Sequence, residues 1–160
     1  MKRVIIVSLL CLFFCSCASG GYSDSLDSRE LAKQLTGEIS EFGDYVEYDA
    51  DEINDLLGLS ADGCDVSVIY SKDSDDQGEI GIIRAASEAD AKEVLREAQE
   101  YLEQMRVERR AFVESYLPRE LSKLSSAEAR RFGSYVIYTI LESEKSTLVF
   151  DKVEEALKTA

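Results

Sequence analysis

The sequence predicts an α+β fold in which helices pack on an antiparallel sheet of about four strands. Two pairs of short apolar segments, at 65–85 and 127–141, are each joined by a polar connection of hairpin length. In four other stretches apolar residues recur at spacings of three and four, as in amphipathic helices. The predicted order is α-α-β-β-α-β-β-α, and hairpins place consecutive strands side by side and antiparallel.

A first helix is predicted over Asp27 to Phe42. Asp27 or Ser28 can cap its start, because a short oxygen side chain accepts the unpaired backbone N–H groups of a first helical turn. Gly43 can end the helix, since glycine is the commonest residue just beyond a helix C-terminus. The apolar face of this helix consists of Leu31, Leu35, Ile39 and Phe42.

A second, shorter helix and the first hairpin follow. The helix is predicted over Ala50 to Leu57, with Asp49 as its cap and Gly58 as its end. The strands of the hairpin are predicted over Asp65 to Ser71 and Glu79 to Ala85, because apolar residues alternate in both. The apolar positions are Ile53, Leu56 and Leu57 in the helix, and Val66, Val68, Tyr70, Ile80 and Ile82 in the strands.

The longest predicted helix begins at Ser87. The segment from Ser87 to Asp90 resembles a capping box with Asp in place of Glu or Gln. We expect the helix to end near Leu117, because Pro118 disfavours helical geometry in the residue before it. Its continuous apolar stripe is formed by Ala91, Val94, Leu95, Ala98, Leu102, Met105 and Phe112.

A second hairpin and a last helix complete the chain. Strands are predicted over Ala127 to Phe132 and Tyr135 to Leu141, joined by Gly133-Ser134, a Gly-first turn of the II′ kind. The second of these strands is apolar on both faces, so we expect it to lie in the interior of the sheet. The last helix, over Lys145 to Leu157, presents Leu148, Val149, Val153 and Leu157.

The first 16 residues have the features of a secretory signal peptide. Lys2 and Arg3 precede an apolar run from Val4 to Phe14, and small residues follow. The run is too short for a transmembrane helix, which needs roughly 20 residues. The sequence therefore predicts that residues 1–16 are removed during export.

The end of this signal resembles a bacterial lipoprotein site, in which cleavage precedes a cysteine that receives a diacylglyceryl group. The four matching residues are Phe14-Cys15-Ser16-Cys17, so Cys17 is the predicted lipidation site. The alternative is ordinary cleavage after Ala18. The Gly/Ser-rich segment 17–27 is predicted to be a flexible tether, and residues 28–160 are predicted to form a single domain.

Processing changes the charge and the cysteine content. Loss of residues 1–16 removes Lys2 and Arg3 but no acid, which leaves 16 basic and 32 acidic residues and a net charge of −16. Cys11 and Cys15 leave with the signal and Cys17 carries lipid, so only Cys64 remains and no intramolecular disulfide can form. A net negative charge repels phosphate backbones, so we expect no nucleic-acid partner.

Several short motifs occur in a set order along the second half of the chain: Tyr116-Leu117-Pro118, Leu124, Gly133-Ser134-Tyr135-Val136 and Phe150. With these motifs, the order of elements resembles a family of small Firmicute lipoproteins, the domain of unknown function DUF4358. The resemblance covers residues 28–155, and the connection from Ser125 to Arg131 departs from the family pattern. It implies a lipoprotein with a similar fold, and it implies no activity, cofactor or site residue.

The residue types that carry most catalysis are scarce. The chain has no histidine, which is the commonest general base and metal ligand. Without one, Cys64 is interpreted as a structural thiol rather than a nucleophile. The loop at Asp73, Asp75 and Asp76 resembles a calcium loop, but Arg84 stands where an EF-hand needs glutamate. We therefore predict no catalytic residue, cofactor or metal site, with weak cation binding at the loop as the alternative.

Two further groups of residues allow either a structural or a binding role. Residues 17–80 carry a net charge of −14, whereas most bases of the second half lie in one span. These bases can pair with Glu103, Glu108, Glu114 and Glu120 at helical spacings, or dock an anionic partner. The bases are Arg106, Arg109, Arg110, Arg119, Lys123, Arg130 and Arg131.

The second group consists of tyrosines, which either form the edges of the core or line a ligand groove. They are Tyr45, Tyr48, Tyr70, Tyr101, Tyr116, Tyr135 and Tyr138.

The sequence thus favours a non-enzymatic binding or scaffolding module, anchored through Cys17 at the extracytoplasmic face of the cell membrane. Its partner would be an envelope protein or a wall polymer. One alternative is a carboxylate-based envelope hydrolase, which needs two acids roughly 5–10 Å apart in one cleft. Another is an accessory subunit of a transporter or other envelope complex.

Overall fold

The structure, a computed structural model, describes residues 21–39, 42–48, 50–58, 63–72, 76 and 78–160. The fold is α+β, as predicted, with five helices and a 3-10 turn at Pro118–Glu120 around one antiparallel sheet. In chain order the elements are α1 (Ser28–Glu38), β1 (Phe42–Tyr48), α2 (Ala50–Leu57), β2 (Asp65–Ser71), β3 (Glu79–Arg84), α3 (Glu88–Tyr116), α4 (Leu121–Ser126), β4 (Glu128–Phe132), β5 (Tyr135–Ile140) and α5 (Ser143–Thr159).

The sheet has five strands in the order β1-β2-β3-β5-β4, so the prediction of about four strands is wrong. The two predicted hairpins, β2–β3 and β4–β5, are both present, and β5 lies inside the sheet as expected. All neighbouring pairs are antiparallel. We call the end where Arg84 is paired with Tyr135 the turn end, and the end where Glu79 is paired with Ile140 the loop end.

Apolar side chains fill both faces of the sheet. Val66, Val68 and Ile83 belong to a core shared with α2, α3 and α4. Ile80 and Ile82 belong to a second core shared with α1 and α5. Alternate residues of a strand point to opposite faces, so a sheet packed on both sides needs the continuous apolar runs seen in β3 and β5. The molecule is therefore three layers thick, with the sheet in the middle.

The start of α1 agrees with the prediction from the sequence, and its end does not. Asp27 caps the helix: its carboxylate accepts from the Glu30 amide at 2.7 Å, and the Asp27 amide donates back to Glu30 at 3.1 Å, which completes a capping box. The helix ends at Glu38 rather than Phe42, with Ile39 already extended. Phe42 is buried, but it begins β1 and packs from the strand.

The missed strand, β1, contains Gly43, which was predicted to end the helix. Its pairing with β2 shifts register between Phe42 and Tyr45, as at a β-bulge. Glycine and aspartate are poor strand formers, so pairing with β2 rather than local preference holds this segment extended. The predicted cap of α2, Asp49, lies outside the described residues; Ala50 and Leu57 bound the helix as predicted.

In the second half of the chain the predicted helices and strands are present, and the short helix α4 was not predicted. Ser87 caps α3, its hydroxyl oxygen accepting from the Asp90 amide at 3.2 Å. Gly133, with φ of +61°, is the first residue of the β4–β5 turn, which fits type II′. Two predicted core positions are wrong: Phe112 is 55% exposed and Leu148 is 46% exposed. Among the described residues, none of the helices combines the length and apolar character needed to cross a membrane.

Candidate functional site

A cleft lies at the loop end, beneath the second half of α3. It is a groove of about 320 Å³, which we call the α3 groove. A neighbouring cleft of about 290 Å³ between α2 and α3 shares Met105, Glu108 and Arg109 with it. The remaining residues that line the α3 groove are Phe112, Val113, Leu117, Glu120, Lys123, Leu124 and Ile140.

The length of α3 explains why a groove forms there. At 29 residues the helix is about 43 Å long, whereas a six-residue strand such as β3 spans about 20 Å. Both elements begin or end at the turn end, so the last turns of α3 extend past the loop end of the sheet. Phe112 and Tyr116 remain 55% and 72% exposed there, with ring centroids 5.1 Å apart. Exposed aromatic pairs of this kind are typical of binding surfaces.

The floor of the groove is apolar and one wall is charged. Met105, Val113 and Leu124 are nearly buried. Lys123 is 6% exposed, and its ammonium donates to Asp76 at 2.5 Å and to Glu120 at 2.9 Å. Burial lowers the pKa of Lys123, but these two carboxylates outweigh it and leave the pKa raised. Burial would raise the pKa of Asp76, but the hydrogen bond from the Lys123 ammonium opposes it, and the pKa of Asp76 lies below its usual value. Lys123 and Asp76 are therefore both charged at neutral pH.

The carboxyl of Glu79, on the α3 face of the sheet, has a raised pKa. Glu79 begins β3, and the Tyr138 hydroxyl donates to its carboxyl at 2.5 Å. Burial raises the pKa of Glu79, and although Tyr138 and the charge of Arg109 oppose this, the pKa stays above its usual value. Tyr101 closes the cluster, its ring packing edge-on to Tyr138 at 5.8 Å.

The close approach of Tyr138 depends on Gly81. The two residues face each other across β3 and β5, and the Tyr138 ring lies directly over the glycine. A Cβ placed on Gly81 would be 1.8 Å from the Cε1 atom of Tyr138. Only glycine therefore lets the phenol lie flat and reach Glu79, two residues earlier on the same face.

The structure divides the predicted tyrosine set. Four members gather on the α3 face, where Tyr48 and Tyr70 share a hydrogen bond of 2.9 Å between their hydroxyls. Burial raises the pKa of Tyr70 above its usual value, and so do Tyr48, Glu79 and Tyr101. The four are Tyr48, Tyr70, Tyr101 and Tyr138; Tyr45 and Tyr135 pack on the α1–α5 face, and Tyr116 ends α3.

The predicted ion pairs form only in part. Arg106 pairs with Glu103 and Arg110 with Glu114, both at 2.8 Å. Glu108 accepts instead from the Gln104 amide at 2.8 Å. Arg109 lines both clefts and makes no hydrogen bond or ion pair with any described residue. Further along, Arg130 pairs with Glu128 at 3.1 Å, and Arg131 with Glu88 at 3.5 Å.

The other predicted site residues lie apart from the groove or outside the described residues. Cys17, Asp73 and Asp75 lie outside the described residues. Asp76 is bound to Lys123 rather than exposed on a loop. Cys64 is half-buried and packs against the core of the α3 face. Within the described ranges, no three acidic or cysteine side chains come together in a way that could hold a metal ion.

The sequence interpretation overlooked Glu79 and Gly81. The signal for Gly81 was present, because an isolated glycine within a strand pattern indicates close approach of another group. Glu79 carried no such signal, since a carboxylate at the start of a strand is usually solvent-exposed. Its partial burial and its bond from Tyr138 involve residues distant in sequence, which only the tertiary structure brings together.

The fold and its groove define a small α+β domain. A sequence model of the Domain of unknown function (DUF4358) family matches residues 39–141. The chain therefore belongs to the DUF4358 family. The match begins after α1 and ends before α5, so it contains all five strands and α3. No curated protein and no solved structure matches the chain.

Proposed function

We propose that this protein is a lipid-anchored, extracytoplasmic binding module whose ligand site is the α3 groove. The observation that carries the proposal is the position of Arg109, whose guanidinium has no hydrogen bond or ion pair with any described residue and lies beside an apolar floor with Phe112 exposed at its rim. An apolar pocket with a few converging polar groups is the usual form of a ligand site. The ligand that fits is amphiphilic, with an apolar part for the floor and an anionic group for Arg109.

The anchor is proposed from the signal sequence. Cys17 follows a basic start and an apolar run, and the small residue Ser16 precedes it, whereas the large residues Leu10 and Phe14 precede Cys11 and Cys15. Two acyl chains give stable membrane attachment, whereas one is marginal. Mass spectrometry of the mature N-terminus, compared with a Cys17→Ala variant, tests this: a chain beginning at an unmodified Ser19 would contradict the anchor.

Binding is favoured over hydrolysis by the state of the carboxylates. A glycoside hydrolase needs a protonated acid and a carboxylate facing each other across its substrate. Asp76 and Glu120 both bind Lys123, and the lowered pKa of Asp76 makes it a poor proton donor. The pKa of Glu79 is raised, but its carboxyl accepts from the Tyr138 hydroxyl and does not line the groove. A role as accessory subunit of an envelope complex uses the same groove, with a protein segment as ligand.

The proposal can be tested with 1-anilinonaphthalene-8-sulfonate, which joins an apolar ring system to one anionic group. We expect the mature chain with Cys17→Ala to bind one molecule saturably, with enhanced fluorescence. Arg109→Gln and Phe112→Ser should each weaken binding about tenfold, because each removes an interaction of about 1.4 kcal/mol.

The matched control is Val107→Ser, on the same helix but outside the groove and 71% exposed. It should bind the dye like the parent chain. Circular dichroism must show native tertiary signal in every variant, since this dye also binds molten globules. Equal weakening by Val107→Ser, or a fluorescence rise that never saturates, would contradict a site in the groove.

A further inference from the structure

The N-terminal segment before α1 is held against the turn end of the domain. The Tyr22 ring packs edge-on to Phe132 with centroids 5.7 Å apart, and its hydroxyl donates to Glu154 at 3.2 Å. The Ser23 amide donates to the Leu157 carbonyl at 2.8 Å. These contacts join the segment to β4 and to the last turns of α5.

Further contacts fix the same segment to the sheet itself. The Arg84 guanidinium donates to the Asp24 carbonyl at 2.8 Å. The hydroxyls of Ser134 and Tyr135 donate to the Asp24 carboxylate and to the Leu26 carbonyl. Arg84, Ser134 and Tyr135 all lie at the turn end, so the chain enters the domain there and nowhere near the α3 groove.

The stretch between the proposed anchor and this docked segment is short. Tyr22 follows Cys17 by five residues, which span at most about 17 Å when fully extended. That distance is less than the length of β3, about 20 Å, and less than half the length of α3, about 43 Å. The domain therefore has no freedom to turn over on its tether.

We infer that the turn end faces the lipid bilayer and that the α3 groove, at the loop end, is presented away from it. This inference rests on the lipid anchor proposed above. This orientation also limits which ligands can reach the α3 groove, because a groove that faces away from the bilayer takes its ligand from the aqueous side of the envelope. An anionic amphiphile reaching it is thus a released molecule or a protein segment, and not a lipid still in the membrane.

The charges at the turn end suit contact with a bilayer. Lys158 pairs with Glu154 at 2.5 Å, Arg131 with Glu88 at 3.5 Å and Arg84 with Asp65 at 3.9 Å. Each pair joins one acid to one base, so the three pairs together add no net charge at this end of a mature chain whose predicted net charge is −16. An anionic membrane therefore repels this end less than it repels the acidic remainder of the molecule.

The orientation can be measured with the lipidated full-length protein in vesicles of phosphatidylglycerol and phosphatidylcholine. In a Cys64→Ser background, Ala160→Cys places a fluorophore at the turn end and Ser115→Cys places one near the end of α3. A spin label on the lipid headgroup quenches only fluorophores close to the bilayer. We expect severalfold stronger quenching for the label at residue 160 than for the label at residue 115.

A longer spacer provides the matched control. A Gly/Ser insertion of about 20 residues after Gly20 has an r.m.s. span of about 25 Å, and it should abolish the difference between the two labels. A difference that persists would overturn the inference, because the spacer would then not set the orientation. Equal quenching without the insertion, or stronger quenching at residue 115, would overturn it as well.

Vesicle flotation separates failure of the orientation from failure of the anchor. Protein that floats with vesicles but shows no difference between the labels is anchored and not oriented, which overturns only the present inference. Protein that does not float overturns both. Dye binding in the α3 groove is independent of either result.

Discussion

At the scale of single residues, the contact between Gly81, Tyr138 and Glu79 determines the polarity of the surface beneath α3. The missing side chain of Gly81 makes space for the Tyr138 ring, and the ring brings its hydroxyl to the Glu79 carboxyl. A buried carboxyl is costly unless it is hydrogen-bonded. One glycine therefore supports an acid that would otherwise be unfavourable in this position.

Gly81→Ala should destabilise the protein by about 3 kcal/mol, because the Tyr138 ring must move and the hydrogen bond to Glu79 is lost. Urea unfolding of the mature chain measures the change. Gly37→Ala is the matched control, since nothing lies within 4 Å of a Cβ at that helical position. Alanine there should be neutral or stabilising. Equal losses for the two variants would contradict this account of Gly81.

Glu79→Gln should change how stability depends on pH. Because the folded pKa of Glu79 is raised, its contribution to stability is complete below the unfolded pKa of about 4.3 and is lost as pH rises through the folded value. Glutamine retains an acceptor for Tyr138 and does not ionise. The variant should therefore gain stability relative to the parent between pH 4 and neutrality.

Urea unfolding at several pH values measures this gain. Glu93→Gln is the control, since Glu93 is exposed and Arg96 lowers its pKa. Its stability relative to the parent should not increase over the same pH range. A Glu79→Gln variant that loses stability steadily toward neutral pH would show that the carboxylate is favoured by the fold.

At the scale of secondary-structure elements, the ion pairs of Lys123 join α4 to the connection between β2 and β3. Lys123→Met should cost about 3 kcal/mol, because Asp76 and Glu120 would be left partly buried and without their common cation. Lys158→Met is the control, as its pair with Glu154 is exposed and such pairs contribute about 1 kcal/mol or less. Thermal unfolding compares the two variants. Similar losses of stability would mean that the burial of Lys123 does not strengthen its ion pairs.

Most elements were predictable because their apolar periodicity is long or their turn chemistry is specific. The missed element, β1, lies where helical spacing runs on from Leu35 through Ile39 to Phe42, so the pattern extended the helix into the strand. Only pairing with β2 distinguishes the two structures, and pairing is not a local property. The six-residue α4 was missed as well, since it is too short to show a helical period.

The site was less predictable than the fold. Phe112 continues the apolar stripe of α3, and spacing alone cannot show that the helix passes the end of the sheet there. Arg109 resembles its neighbours Arg106 and Arg110 in sequence, yet only those two find carboxylate partners at helical spacing. Which cation remains available for a ligand is decided by the positions of the surrounding acids in three dimensions.

At the scale of the whole molecule, the docked N-terminal segment is part of the folded unit. A chain that begins at Ser28 should be about 3 kcal/mol less stable than one that begins at Gly21. It loses the Asp27 cap, at about 1 kcal/mol, the packing of Tyr22 on Phe132, and the hydrogen bonds of Asp24. Urea unfolding measures the difference, and the single variant Asp27→Ala isolates the contribution of the cap. Equal stability of the two chains would mean that the segment is not held in solution.

The layered arrangement also has a consequence for amide hydrogen exchange. β3 and β5 are paired on both edges and covered by helices on both faces, so their amides can reach water only when the whole domain opens. Amides of the edge strand β1 and of the last turns of α3 should exchange through small local openings. Mass-resolved exchange should therefore find the slowest deuterium uptake at Ile82 and Ile137, where its rate reports the free energy of complete unfolding without any denaturant.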